Sequence, residues 1–296
     1  MILDQLKKPR IQTLTNISKE FGVYIDVLRL DEIHPIVSGN KWYKLKYYLK
    51  EAKALHQETI VTFGGAYSNH IVATAYACNA VGLKSIGMIR GDETNNLSAT
   101  LKYAKALGMD LHFVSRKDYV FKDELSSHFP NAYMIPEGGA GELGIKGAAD
   151  IIAETKFKKY NFIVCACGTG TMITGIINAS KPNQQIIGVN VLKGFETLKN
   201  NIIFNSKDTS AENRLTIFNE YHFGGYAKHP DPLIEFMNSL WQKENIPTDI
   251  VYTSKLFYAV QDLLFKKYFP TKSNILIIHS GGLQGNASLA LGRLLF

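Results

Sequence analysis

The sequence lacks several features that would place it in a familiar functional class. Its 296 residues include only three cysteines (Cys78, Cys165 and Cys167), too few for a disulfide framework. The first eight residues contain no long apolar run of the kind found in a secretory signal peptide. No later run approaches the roughly 20 residues of a membrane span. We therefore expect a chain without leader or membrane anchor, working in the reducing cytoplasm.

Metal and nucleic-acid sites are also not indicated. The eight histidines are scattered without ligand spacing, and neither paired carboxylates nor a cysteine cluster accompanies them, so no metal is expected. The 33 Lys and Arg exceed the 26 Asp and Glu, but they form no basic block interleaved with aromatic residues. We therefore expect no nucleic-acid partner, which a salt-dependent binding assay would test. The net charge of +7 favours anionic small molecules.

Strand patterns alternate with helical patterns along most of the chain. The predicted strands are 59–63, 84–90, 111–114, 132–135, 161–165, 186–191 and 274–278. The predicted helices are 42–55, 71–81, 96–107, 147–155, one from 172, 231–243, 255–267 and one after 282, with a less regular helical stretch over 117–128. Residues 200–229 are predicted to be irregular. This alternation indicates an α/β fold of two open, twisted, mostly parallel sheets flanked by helices, with a cleft between them. We expect a large domain of residues 1–45 and 147–296 and a small domain of residues 46–146.

The stretch Ser38-Gly39-Asn40-Lys41 places a lysine behind a Gly-Asn turn and at the start of a predicted helix. Asn40 could cap this helix with its short amide side chain, and Gly39 can adopt the positive φ of a tight entry. The positive end of the helix dipole would lower the pKa of Lys41, which suits a nucleophilic lysine. The alternative is a solvated surface lysine. The apolar face of the helix consists of Trp42, Leu45, Leu49, Ala52 and Leu55.

The segment Gly168-Thr169-Gly170-Thr171 lies between a predicted strand and a helix N-terminus. Free N–H groups and the helix dipole favour an anion there, the glycines let a phosphate approach, and the threonine hydroxyls add donors. The spacing matches neither the dinucleotide fingerprint nor a Walker A loop. It predicts a monophosphate site, with an ordinary tight turn as the alternative.

Two further loops have the same strand–loop–helix form, Gly64-Gly65-Ala66-Tyr67-Ser68-Asn69-His70 and His279-Ser280-Gly281-Gly282. In the first loop, amide donors with Ser68 and Asn69 could bind a carboxylate, although helix capping explains both residues equally well. Ligands bind at the carboxyl ends of parallel strands. The three loops and Lys41 therefore predict one site in the cleft. A protein that binds a phosphate ligand without turnover would fit the same set.

These segments, taken together, carry a resemblance to a known family. The chain resembles the pyridoxal-phosphate (PLP) enzymes of the tryptophan-synthase-β fold type (fold type II), specifically the D-cysteine desulfhydrase / 1-aminocyclopropane-1-carboxylate (ACC) deaminase family. The resemblance covers nearly the whole chain. It rests on the segments above and on Pro136-Glu137-Gly138-Gly139, Gly225-Tyr226 and Val251-Tyr252-Thr253-Ser254-Lys255.

The resemblance implies a role for each matching residue. Lys41 would bind PLP covalently and later act as the base on the substrate α-carbon. The other cofactor contacts would be Asn69 at the ring hydroxyl, Ser280 at the pyridine nitrogen, and Gly168, Thr169, Gly170 and Thr171 at the phosphate. Ser68 and His70, with Asn69, would line the pocket for the substrate carboxylate. The catalytic set would be Lys41, Ser68, Tyr226 and Tyr252, and both tyrosines would contact the substrate together with Thr253.

Two positions bear on which member of the family the chain resembles. Members similar to true ACC deaminase have glutamate after the second tyrosine and leucine after the late histidine, where this chain has Thr253 and Ser280. Hydroxyls at both positions resemble the desulfhydrase side, and replacing them by Glu and Leu should move activity toward ACC. In the first motif, Tyr43 stands where many relatives have arginine. We expect α,β-elimination on a small amino acid, most strongly D-cysteine, in a cytoplasmic homodimer. ACC deaminase is the alternative.

Overall fold

Two mostly parallel sheets form the framework of the protein. The computed structural model describes residues 6–122, 124–153 and 157–296. The strands are β1 Arg10–Thr13, β2 Tyr24–Arg29, β3 Thr59–Gly65, β4 Lys84–Arg90, β5 Met109–Val114, β6 Tyr133–Ile135, β7 Phe162–Cys167, β8 Gln185–Asn190, β9 Leu215–Phe218 and β10 Asn274–His279. The large sheet has the order β1-β2-β10-β7-β8-β9 and the small sheet has the order β5-β4-β3-β6. Every pairing is parallel except that of β1 with β2.

Helices connect the strands and cover the sheets. They are α1 Thr15–Phe21, α2 Asn40–Ala54, α3 Asn69–Ala80, α4 Ala99–Ala106, α5 Glu142–Ala153, α6 Thr171–Ala179, α7 Leu198–Asn205, α8 Ala211–Arg214, α9 Asp231–Glu244 and α10 Thr253–Phe265. Short 3-10 segments occupy Leu30–Glu32, Asp118–Phe121, Glu124–His128, Glu137–Gly139, Phe157–Lys159, Glu220–His222 and Leu283–Ser288. The predicted α/β architecture is confirmed. So are all seven predicted strands, with shifted ends for most.

The prediction failed at the N-terminal strands and between α6 and α9. It contained no element before residue 38, yet β2 lies inside the large sheet between β1 and β10. Asp26 interrupts the apolar pattern of β2, and the structure satisfies its carboxylate with Thr13, Lys159 and Tyr160. Residues 200–229 are not irregular, because α7, α8 and β9 lie there. Arg214 is a charged residue of the kind expected in a surface loop, so the sequence does not indicate this order. In the structure Arg214 is buried and donates to the carbonyls of Lys181 and Gln184.

Several helix predictions need smaller corrections. The helix predicted for 147–155 begins at Glu142 and is described to Ala153, whereas Thr155 lies outside the described residues. The less regular helical stretch predicted for 117–128 contains two 3-10 segments, whereas the last helix predicted after Gly282 is a 3-10 segment rather than an α-helix. Asn40 is not the cap of α2: Gly39 occupies that position with φ 67°, and Asn40 is the first helical residue. Its amide Nδ2 instead lies 3.3 Å from the Met172 sulfur.

Three helices pack closely beside the site because glycines line their contacts. A Cβ added to Gly147 of α5 would come within 1.8 Å of the Tyr43 carbonyl in α2, and one on Gly175 of α6 within 2.4 Å of the Ile145 carbonyl. The helix that carries Lys41 is thereby held against α5, and α5 against α6.

The predicted domain boundaries stay a prediction, although all four strands of the small sheet fall between residues 59 and 135. Among the described residues, no helix has both the length and the apolar character needed to span a bilayer.

Candidate active site

A cavity of about 1040 Å³ lies where the carboxyl ends of strands from both sheets meet. Its walls include residues at or just after the ends of β3, β4, β7 and β10, which are Gly65, Arg90, Gly168 and Ser280. The three loops singled out from the sequence and Lys41 all contribute to this one cavity. The carboxyl edges of parallel strands thus bring together segments that are far apart in the chain.

Lys41 lies in the first turn of α2 and is partly exposed to the cavity. Burial by the surrounding protein lowers its pKa to about 8, while the charge of Asp249 acts in the opposite direction. The predicted direction is confirmed, but the main cause is burial rather than the helix dipole. A nearly neutral pKa leaves part of the amine unprotonated at physiological pH, as a nucleophile or base requires.

Two other lysines have depressed pKa values, and the structure gives each a different setting. Lys44, one turn along α2, also lines the cavity but is buried, and its Nζ lies 3.4 Å from the Gly138 carbonyl. Burial, then the charge of Lys41, lowers its pKa. Lys255 is fully buried in α10 and donates to the carbonyls of His222 (2.9 Å) and Gly225 (2.7 Å).

The glycine loop after β7 forms a cradle at the N-terminus of α6. Gly170 is the cap residue with φ 82°, and the first N–H groups of the helix have no intrahelical partner. A Cβ at Gly168 would stand 3.2 Å from the Tyr252 ring, and one at Gly170 would stand 3.0 Å from Ile202. Gly168, Thr169 and Gly170 line the cavity. Thr171 is not among the lining residues, and its hydroxyl pairs with that of Thr169 at 2.9 Å.

The loop after β3 presents buried polar atoms to the cavity. Ser68 is the cap residue of α3, and Asn69 Nδ2 lies 3.4 Å from the Gly282 carbonyl on the loop after β10. The Asn69 Oδ1 and His70 Nδ1 atoms are buried with no hydrogen-bond partner among the described residues. His70 Nε2 pairs with the Thr62 hydroxyl at 2.8 Å. Burial, then the charges of Lys41 and Lys44, holds the pKa of His70 well below its usual value.

Both predicted tyrosines line the cavity, with ring centroids 6.5 Å apart in an edge-on arrangement. Burial raises the pKa of each, with a further contribution from Asp249, so both hydroxyls carry their protons at neutral pH. The backbone of Tyr252 is fixed by Asp249, because the Tyr252 N–H donates to Asp249 Oδ2 at 3.0 Å.

Of the two positions that distinguish family members, only Ser280 lies on the cavity wall. Thr253 is fully buried, and its hydroxyl donates to Asp249 Oδ1 at 2.7 Å. Asp249 also accepts the backbone N–H groups of Val251, Tyr252 and Thr253. The geometry therefore does not support direct substrate contact by Thr253, and that role stays a prediction.

The sequence did not point to several residues of this site. Asp249 precedes α10 and accepts hydrogen bonds from its first turn. In the sequence, only its position four residues before Thr253 could have suggested that it caps this helix. Five charged or aromatic residues also line the cavity: Arg90, Arg116, Tyr119, Lys122 and Glu137. Arg90 is the last residue of β4. Its position at the carboxyl end of a predicted parallel strand, where ligands bind, is the signal that could have pointed to it.

The α/β fold brings an amine, a glycine loop at a helix N-terminus and two tyrosines together in one cavity, as an enzyme with a phosphate-bearing cofactor requires. A family model described as pyridoxal-phosphate dependent enzyme matches residues 2–281. The chain belongs to this family, and within it to the group of ACC deaminases and D-cysteine desulfhydrases.

Three relatives illustrate the similarity. A Thermotoga maritima protein, provisionally named an ACC deaminase, is 31% identical over 307 aligned positions that cover 95% of each chain. The mitochondrial bifunctional D-cysteine desulfhydrase/ACC deaminase of Arabidopsis thaliana is 28% identical, covering 84% of this chain and 70% of its own. The crystal structure of an ACC deaminase homologue superposes with a TM-score of 0.80 at 27% identity, over 95% of this chain and 91% of the other.

The residues present fit pyridoxal 5'-phosphate. The side-chain-free backbone at Gly168 and Gly170 leaves room for a phosphate beside free N–H groups. The orphaned Asn69 Oδ1 is a buried acceptor that needs a donor such as a ring hydroxyl. Lys41 supplies an amine with a depressed pKa in the same cavity.

Proposed function

We propose that this PLP-dependent enzyme is a lyase that catalyses α,β-elimination on a small amino acid, most strongly D-cysteine, giving pyruvate, ammonia and hydrogen sulfide. The observation that carries the proposal is the Lys41 amine, which faces the cavity with a pKa lowered to about 8. The names of the relatives support the same group of lyases.

The proposed roles are those that the family resemblance implies, and most of these residues line the cavity. Lys41 would hold the cofactor, Gly168 to Thr171 its phosphate, Asn69 its ring hydroxyl and Ser280 its pyridine nitrogen. When bound, PLP withdraws electrons from the α-carbon of the substrate and so stabilises negative charge there. Ser68 and Asn69 would orient the substrate carboxylate by hydrogen bonds, and His70 would line the same pocket. The Thr62 hydroxyl donates to the Ile135 carbonyl, so His70 Nε2 donates to Thr62 and the Nδ1 of the neutral ring is left as an acceptor.

The proton movements fall to three side chains. Lys41 Nζ would take the proton from the α-carbon, since its amine is partly unprotonated near neutral pH. Tyr226 and Tyr252 keep their protons, so either hydroxyl could donate to the departing sulfur. The released aminoacrylate takes up water and yields pyruvate and ammonia.

Ser280 favours the elimination over ring opening. A hydroxyl can bond the pyridine nitrogen without keeping that nitrogen fully protonated. A carboxylate at the same place would favour the protonated, positively charged nitrogen. The weaker electron withdrawal suffices when a good leaving group such as thiolate departs. ACC deaminase, which gives 2-oxobutanoate and ammonia, remains the second candidate because relatives bear that name.

The direct test measures 2-oxo acid and ammonia release from D-cysteine, L-cysteine, D-serine and ACC side by side. We expect pyruvate and sulfide from D-cysteine with the highest kcat/KM, and no activity in Lys41→Ala. A higher kcat/KM for ACC, detected as 2-oxobutanoate, would favour the second candidate. Turnover by Lys41→Ala would refute the role of Lys41.

A further inference from the structure

The small-sheet wall of the cavity carries charged residues that the proposed elimination does not use. Arg90 ends β4, Arg116 and Lys122 follow β5, and Glu137 follows β6, so all four stand at the carboxyl edge of the small sheet. The side chains thus provide three positive charges against one negative charge. We refer to Arg90, Arg116 and Lys122 as the cationic wall.

A buried tyrosine organises this wall. The Tyr119 side chain is 4% exposed, with the Arg90 guanidinium carbon 5.8 Å and Lys122 Nζ 5.7 Å from its ring centroid. Its hydroxyl is buried beside Glu137; burial, then the charge of Glu137, raises the pKa of Tyr119. Both cations lie within the roughly 6 Å of a ring centroid at which a cation–π attraction acts.

The positive charge of the wall is only partly compensated. Glu137 lies 3.9 Å from Lys122 Nζ, close enough to offset that charge. Within the described ranges, neither Arg90 nor Arg116 has a carboxylate within ion-pair distance. Two guanidinium groups are thus available to a ligand.

Arg90 also lies beside the loop after β3 that carries Ser68 and Asn69, which we refer to as the carboxylate loop. Its Nη2 is 3.8 Å from the position of a Cβ on Gly65, beside the loop that carries Ser68 and Asn69. The charge of Arg90 also acts on Tyr226: it lowers the pKa of this tyrosine, whereas burial, the larger effect, raises it. Arg90 therefore acts electrostatically between the carboxylate loop and Tyr226.

We propose that the cationic wall is a second anion subsite, through which the same elimination site also accepts amino acids with an anionic group on the side chain. This inference rests on the proposed function and extends its substrate class. Guanidinium groups bind carboxylate, sulfonate or phosphate oxygens with two parallel hydrogen bonds. The thiol of cysteine and the ring of ACC would leave both arginines unused.

An anionic side-chain group can also be the leaving group. The α-proton passes to Lys41 Nζ, the bond from the β-carbon to the anionic group breaks, and that group departs with the bonding electron pair. Aminoacrylate then takes up water and yields pyruvate and ammonium. Arg90 would hold the anion before and after the bond breaks, and no oxidant or reductant is needed.

A binding experiment tests the subsite without turnover. Isothermal titration of the holoenzyme with both enantiomers of aspartate and of alanine compares side chains with and without a carboxylate. We expect at least one aspartate enantiomer to bind about tenfold more tightly than alanine, and added salt to reduce this preference. Arg90→Gln should abolish it. Equal affinities for aspartate and alanine in the wild type would overturn the proposal.

A kinetic experiment tests the substrate class. We would compare kcat/KM for cysteate and O-phosphoserine, each as both enantiomers, with kcat/KM for D-cysteine. Arg90→Gln should lower the ratio of anionic to neutral kcat/KM about tenfold or more. Arg116→Gln serves as a second variant if Arg90→Gln does not fold. Lys105→Gln removes an exposed charge outside the cavity and should leave the ratio unchanged.

The two experiments separate the subsite from the elimination. If no substrate yields a 2-oxo acid but aspartate binds in an Arg90-dependent way, the elimination fails and the subsite stands. If D-cysteine is eliminated and Arg90→Gln changes anionic and neutral substrates equally, the elimination stands and the subsite is refuted.

Discussion

Three lysines have depressed pKa values, and their surroundings decide which one can bind an aldehyde. Lys255 uses two hydrogen bonds to hold the carbonyls of His222 and Gly225, next to Tyr226. Lys44 is buried under the Gly138 carbonyl. Lys41 combines a pKa of about 8 with partial exposure to the cavity. At the scale of single residues, these surroundings support the proposal that Lys41 holds the cofactor.

Lys255 predicts a pH dependence of stability. Burial lowers its pKa to about 8 from the ordinary 10.5. Between these values the folded protein has lost a proton that the unfolded chain keeps, so Lys255 makes the free energy of unfolding rise with pH. One proton corresponds to at most about 1.4 kcal/mol per pH unit. In Lys255→Met apoenzyme the urea-unfolding free energy should rise less steeply between pH 8 and 10 than in wild type. An identical slope would contradict the account.

Thr253 predicts a structural rather than a catalytic loss on substitution by glutamate. A carboxylate at this fully buried position would replace the hydroxyl that bonds Asp249 and would place a second negative charge beside it. We expect Thr253→Glu to lower the free energy of unfolding by about 3 kcal/mol or more, measured by urea denaturation. Thr253→Ser keeps the hydroxyl and should cost about 1 kcal/mol. The double replacement with Ser280→Leu is therefore expected to lose stability before it gains activity toward ACC.

The sequence indicated part of the site for physical reasons. Glycine loops and helix-start polar residues carry local patterns, so Gly168, Gly170, Ser68 and Asn69 could be located. Tyr226 and Tyr252 came only from the resemblance, because a tyrosine in an aromatic-rich chain has no local pattern. Arg90 and Asp249 were missed because their importance arises from contacts between distant segments.

At the scale of elements, the entry of α2 is fixed by the loop after β10. The Asn40 N–H donates to the Ser280 carbonyl at 3.1 Å, and a Cβ on Gly39 would lie 1.8 Å from the same oxygen. Gly39 has φ 67°, a conformation that disfavours side chains. This contact sets the distance between Lys41 and Ser280, which would lie at opposite ends of the cofactor ring.

Gly39→Ala should therefore damage both stability and cofactor binding. We expect a loss of about 3 kcal/mol in unfolding free energy, from the clash and the strained φ together. The PLP content after dialysis, measured by absorbance, should also fall. Gly285→Ala is the matched control, because no atom lies within 4 Å of its added Cβ. Full PLP retention by Gly39→Ala would contradict the account.

Regular periodicity made most elements predictable, whereas buried polar residues concealed the others. The strand Lys84–Arg90 was predicted with its observed ends, and α9 with only its last residue missed. In β2, Asp26 and Arg29 interrupt the apolar pattern, although Arg29 is buried with Asp31 as its partner. In the sequence alone, such charged residues indicate a surface loop. Their burial can be inferred only when their partners in distant segments are known.

At the scale of the whole molecule, the cavity exists only because two sheets direct their carboxyl edges toward it. The large sheet supplies the glycine loop after β7 and Ser280, and the small sheet supplies the loop after β3 and the cationic wall. Neither sheet holds a complete site. A cavity lined by residues of both sheets is consistent with the cleft predicted from the alternation of strands and helices.

The homodimer expected from the family resemblance predicts a measurable mass. Sedimentation equilibrium of the holoenzyme at micromolar concentration should give twice the 33.1 kDa of the chain. A single species of 33.1 kDa across that range would contradict the expectation, without affecting the assignment of Lys41.

The most direct test of the account is to locate the cofactor on the chain. Holoenzyme would be reduced with borohydride, digested and analysed by mass spectrometry for the pyridoxyl group. The account predicts the added mass on Lys41, and none on Lys44 or Lys255. The added mass on either of those lysines, or no covalent cofactor in protein that binds PLP, would contradict it.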